Sequence, residues 1–260
     1  MITCCVSASE DHWQDWLDAV GNLRRVRDVA LPVSLLVTEP AIRTRAERLG
    51  LTVSHAQDLL PADVARYLSE SPARGRKDVL SRLKDMLVQC RAAGARVVGF
   101  ELGLDRIREA AFAQDLTDRV KLLRALMPVA DSQKVTLCVQ VRYPREFPHS
   151  KQWEYAGNLV HEVMHPCCRL GISMVPAELP ADFDIGSFVR LYSFNLGALR
   201  FHYSPAMGET LGRESQARWA EALRRHGFKG LVVFCPKVKE PEGIPEASAA
   251  IDAWAEAYAG

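Results

Sequence analysis

The chain has 260 residues, 48% of them hydrophobic, and its 33 Lys and Arg are balanced by 32 Asp and Glu for a formal charge of +1. That length suits a single domain with a large core. A charge so close to zero gives no global field toward nucleic acid or an anionic membrane surface, and no stretch reaches the roughly 18 apolar residues of a membrane-spanning helix.

The opening MITCCVSASEDHW lacks the basic start and long apolar stretch of a signal peptide. The seven cysteines form no CxxC pair and are irregularly spaced, which fits reduced thiols better than a disulfide framework. The expectation is a cytoplasmic protein with a small-molecule ligand and neither a nucleic-acid nor a membrane partner. The basic runs at Arg24, Arg25 and Arg27 and at Arg74, Arg76 and Lys77 read as solvated faces rather than phosphate contacts.

Short β-branched apolar runs alternate with amphipathic stretches from end to end, the pattern of repeated βα units and a parallel sheet. In chain order, the spacing predicts a strand over 2–7, a helix over 9–24 and a second strand over 31–38 with Pro32 near its start. A helix over 40–49 and a strand over 51–55 follow. Residues 78–93 place Val79, Leu80, Leu83, Met86, Leu87 and Cys90 at spacings of three and four, giving one apolar helix face. Gly94 caps that helix and leads into a strand over 96–102. The alternation continues with helix 105–126, strand 134–142, helix 153–165, strand 169–175, helix 183–193 and strand 198–204. It closes with helix 213–226, strand 230–235, a proline-rich surface loop over 236–247 and a helix over 246–258. Eight strands with no Gly- or Ser-rich linker predict a single-domain (β/α)8 TIM barrel over 1–260.

Three passages carry a family resemblance: LVQCRAAGARVVGFELG (87–103), LGALRFHYSP (196–205) and WAEALRRHGFKGLVVF (219–234). With the strand spacing, they make the chain similar to the xylose isomerase-like TIM-barrel superfamily of sugar-phosphate isomerases/epimerases and endonuclease IV-like proteins. The resemblance implies a divalent metal (Mn, Mg, Zn or Co) at the carboxyl ends of the last four strands, held by Glu, Asp, His and Glu. A further His often stands three residues after the Asp. Mapped onto this chain, those positions fall on Gln140, Val175, His202 and Cys235, with Glu178 in place of the further His. An amide is a poor metal ligand and valine is none, so no metal of the usual kind is expected here. The many-ligand metal cluster of the endonuclease type has no counterpart either.

A TIM barrel carries its active site at the carboxyl ends of its strands, and alternation selects the inward side chains. Gly99 and Glu101 share a face of the fourth strand, and Thr136, Cys138, Gln140 and Arg142 share one on the fifth. Arg200, His202 and Ser204 do so on the seventh, and Val233 and Cys235 on the eighth. His202, Glu101 and Glu178 are the candidate catalytic groups, and Arg142, Gln140, Trp153 and Lys237 the candidate ligand contacts. His202 reads as an acid/base, a relic of a metal site or a structural histidine. Glu101 and Arg142 read as a buried ion pair, or as a base beside an anion-binding guanidinium. Cys235 reads as a small core residue or as a thiolate activated by His202. The loop with Tyr143, Phe147, His149, Lys151 and Trp153 either lines a pocket or covers outer apolar surface.

Two functions from different classes remain. One is a divergent sugar isomerase/epimerase-like protein acting on, or binding, a sugar or sugar phosphate with its metal site rebuilt. The other is a non-catalytic barrel serving as a ligand-binding or scaffold protein.

Overall fold

In this computed structural model the described residues are 3–7, 12–60, 76–101, 112–143, 150–180, 182–203, 213–236 and 243–258. Eight parallel strands form a closed barrel in chain order. They are β1 (Thr3–Ser7), β2 (Asp28–Pro32), β3 (Thr52–Gln57), β4 (Val97–Glu101), β5 (Thr136–Arg142), β6 (Cys168–Met174), β7 (Leu196–Tyr203) and β8 (Leu231–Pro236). β8 pairs with β1 to close the ring. Around it lie α1 (Trp13–Gly21), α2 (Val33–Thr38), α3 (Ala41–Arg48), α4 (Arg76–Ala92) and α5 (Phe112–Gln133), then α6 (Ser150–Val163), α7 (Ile185–Tyr192), α8 (Arg213–Arg225) and α9 (Ile244–Ala255). No helix among the described residues is long and apolar enough to cross a membrane.

Each strand is apolar on both faces because a parallel barrel buries both. The outward residues, among them Phe100, Val139, Ile172, Leu199, Phe201 and Phe234, pack against the helices. The inward set is smaller: Cys5, Ala30, Val97, Cys138, Ala198, Leu231, Val233 and Cys235 form an interior cluster of their own. Helix α4 buries Val79, Leu83, Met86, Leu87 and Cys90, the face its spacing predicts. Gly94 ends that turn at φ +111, a conformation that favours glycine.

Two elements differ from the sequence reading. The second strand is Asp28–Pro32, with Val29 in register with Val6, and Val33–Thr38 is helical. An unbroken apolar run has no period that separates a buried strand from a short helix. Pro32 has no N–H for a strand ladder and sits where β2 ends, while Val33 and Leu35 are buried from the helix. The fifth helix runs through Pro128 to Gln133 rather than stopping at 126. Burial of Leu123, Leu126, Met127 and Ala130 holds the turns on both sides of the proline.

Candidate active site

Strand register sets the height of each inward side chain. Glu101 stands opposite Gln140, Arg142 opposite Ser173, Ser173 opposite Arg200, and His202 opposite Cys235. The carboxyl mouth therefore gathers Glu101, Arg142, Arg200, His202 and Cys235 from four strands.

Arg200 organises this end of the barrel. Its side chain is 8% exposed. From β7 it crosses the bore to the opposite wall, where Nη2 donates to Gln57 Oε1 on β3 at 3.0 Å. Gln57 Nε2 donates in turn to Ser7 Oγ on β1 at 2.7 Å. Nη1 lies 3.6 Å from Glu101 Oε1 on β4. Asp58 follows Gln57 in the left-handed region at φ +62, a conformation Asp tolerates better than most residues. Burial works against the guanidinium charge, but Cys235, Asp58 and Glu101 outweigh it and keep the cation favoured. Nε is buried and has no acceptor among the described residues.

Below this level two more polar groups enter the bore. His55 is wholly buried on β3; desolvation, joined by the nearby Arg200 charge, pushes its imidazole down to about 3. The ring is therefore neutral at ordinary pH. Neither His55 ring nitrogen, and neither amide atom of Gln140, has a partner among the described residues. The two side chains flank Gly99, where a Cβ would lie 3.3 Å from Gln140 Nε2 and 3.5 Å from His55 Nε2. A Cβ on Gly171 would collide with the Gln140 amide. Glycines on β4 and β6 thus leave the space that larger groups from β3 and β5 fill.

The predicted site residues separate into four groups. Glu101 and His202 stand at the mouth, Glu101 54% exposed and His202 half-buried. Arg142 and Glu178 meet each other: Nη2 of Arg142 donates to Oε1 at 3.2 Å and Oε2 at 3.0 Å of Glu178, which ends the 3₁₀ turn Pro176–Glu178 after β6. The Glu101–Arg142 ion pair, one of the two readings of these residues from sequence, is not formed; Arg142 pairs with Glu178 and Arg200 reaches across the bore to Glu101. Gln140 is buried, beneath the mouth beside Gly171. Trp153 lies in the first turn of α6, and its side chain is outside the described residues, as are Lys151, Phe147, His149, Ser204 and Lys237. Alternation puts Arg200 on the inward face beside His202, but nothing local in the sequence marks its partner across the bore. Gln57 lay two residues beyond the predicted end of its strand.

The four positions that hold the metal in the resembling family do not fit one here. Gln140 is turned into the bore, Val175 offers an alkyl group, and Cys235 sits in the interior apolar cluster facing Arg200. His202 is left as the one conventional donor. Among the described residues no three His, Cys, Asp or Glu side chains converge as a metal site would require.

No protein-family model and no curated protein matches the chain by sequence. Solved structures match it over nearly its whole length. D-psicose 3-epimerase from Clostridium cellulolyticum H10 superposes with a TM-score of 0.68 at 15% identity, covering 99% of this chain and 96% of that one. The 3-keto-D-glucoside 4-epimerase of E. coli gives 0.67 at 13% identity, covering 97% and 99%. An AP endonuclease of family 2 from Brucella melitensis gives 0.66 at 15%, covering 96% and 99%. The chain folds as a (β/α)8 TIM barrel like theirs. At these identities the likeness is one of fold, and chemistry has to be argued from the side chains.

Proposed function

We propose that this barrel takes up a small polyhydroxylated ligand, a sugar or sugar phosphate, at its carboxyl mouth and acts on it by isomerase/epimerase-type proton transfer without the family's metal ligand set. The observation that carries this reading is the pairing of Arg200 with Glu101 at two strand ends, with His202 two residues beyond Arg200 on the same strand, in a fold shared with two sugar epimerases. Glu101 is exposed enough to reach a ligand and is the base; His202 is the complementary acid/base. Glu178 is held beside the mouth by Arg142, and Gln140, Trp153 and Lys237 complete the proposed contacts.

The test is deuterium exchange. D-psicose, D-fructose, D-tagatose and ketohexose phosphates are incubated with the protein in D2O and followed by NMR. Incorporation at the carbon beside the carbonyl, unaffected by EDTA and lost in a folded His202→Ala variant, is the expected result. Absence of both exchange and binding across the panel would refute it.

The burial of Cys235 in the interior apolar cluster, and of Gln140 below the mouth, favours a second reading: a barrel that binds or scaffolds without catalysis. Saturable binding with no exchange for any sugar selects that reading.

A further inference from the structure

Among the described residues the mouth holds no fitting metal ligand set, yet it does hold a positive charge. Arg200 places a guanidinium inside the bore, held by Gln57 on one side and by Glu101 on another. Such a group has five N–H donors and no acceptor. Its Nε is buried with no acceptor among the described residues, an arrangement that costs stability unless something else supplies an oxygen.

We infer that Arg200 is the resident cation of the ligand site, donating to a carbonyl or hydroxyl oxygen of an uncharged sugar while Glu101 accepts from a neighbouring hydroxyl. This rests on the ligand site proposed above and narrows its substrate class. Arg142 and Glu178 compensate each other, and Arg200 faces both Glu101 and Asp58. The charged groups described at the mouth thus compensate one another, and the phosphate arm of the test below decides whether Lys237 adds to them. The mouth holds a paired donor and acceptor, which is what adjacent oxygens of a neutral sugar require. A guanidinium is planar and permanently charged, so it polarises an oxygen in a low-dielectric floor without the ligand set a divalent ion needs.

The experiment uses the full-length protein, 15N-labelled and EDTA-treated, with the neutral ketohexoses and ketohexose phosphates named above as probes. The Arg200 Nε–H resonance, assigned through bonds to its own backbone, is followed together with the backbone amides of Glu101 and His202. A neutral ketohexose is expected to shift the Arg200 signal saturably, with the same affinity when Mn2+ replaces EDTA and no gain from a phosphate group. Arg200→Lys, shown to be folded by circular dichroism, is expected to weaken binding about tenfold or more, since a lysine cannot reproduce the planar fork. Movement of the mouth amides with a silent Arg200 signal overturns this inference and leaves the proposed function standing. Binding that requires Mn2+, or that tightens with a phosphate, also overturns it. No response of any mouth signal to any probe removes both.

Discussion

Arg200 and Gln57 join opposite walls of the barrel, guanidinium to amide, at 3.0 Å. The acceptor serves a charge that water barely reaches, so its loss matters more than that of the half-exposed carboxylate nearby. Gln57→Leu is expected to lower unfolding free energy by about 2 kcal/mol, and Glu101→Gln by about 1 kcal/mol or less. Urea denaturation of both variants checks the order. Equal losses would mean that the cross-bore bond holds little.

The neutral His55 makes stability depend on pH. Its folded pKa of about 3 lies below the ordinary value of 6.5, so the unfolded chain binds the extra proton as pH falls. The His55 contribution is complete above about 6.5 and is lost progressively from there to about 3, at up to about 1.4 kcal/mol per pH unit. His55→Leu is expected to flatten the decline across that window. At pH 7 it should leave the melting temperature equal or higher, because an apolar group replaces unpartnered nitrogens. Thermal melts of both proteins between pH 7 and pH 4 decide it; parallel slopes would show that His55 is not the source.

Gly171 and Gln140 are coupled through space. Gly171→Ala puts a methyl group into the amide of Gln140 and is expected to destabilise by about 1–3 kcal/mol. In a Gln140→Ala background most of that penalty should vanish. A double-mutant cycle by chemical denaturation reads the coupling; additive effects would contradict the packing described.

Burial pushes the Cys90 and Cys168 thiols up to about 12 and Cys138 higher still. Since the thiolate is the reactive form, native protein at pH 8 should leave all three unmodified by iodoacetamide. Mass spectrometry after brief labelling, with and without denaturant, provides the comparison. Rapid native labelling of Cys138 would be incompatible with its place inside the barrel.

What was legible in the sequence was what local pattern controls. The face of α4, the left-handed Gly94 and the inward parity of Cys138, Arg200 and Cys235 follow from spacings of three, four and two. The run from 31 to 38 misled because apolarity without a period does not distinguish strand from helix. The pairing of Arg200 was hidden for a different reason. Gln57 is 143 residues away in sequence, and only closure of the ring makes β3 the wall that faces β7. Glu101 is legible as a strand-end residue, whereas its contact with Arg200 depends on a long side chain crossing the bore, which no local spacing encodes.

The span from β3 to β7 also bears on how the barrel could be divided. A cut between β4 and β5 leaves Gln57 and Glu101 on one fragment and Arg200 on the other. Each half then carries a polar group shaped for its missing counterpart, and neither can close its own sheet. Two such fragments have a built-in means of recognising each other, and half-barrels mixed with those of another protein of the same fold would lack it.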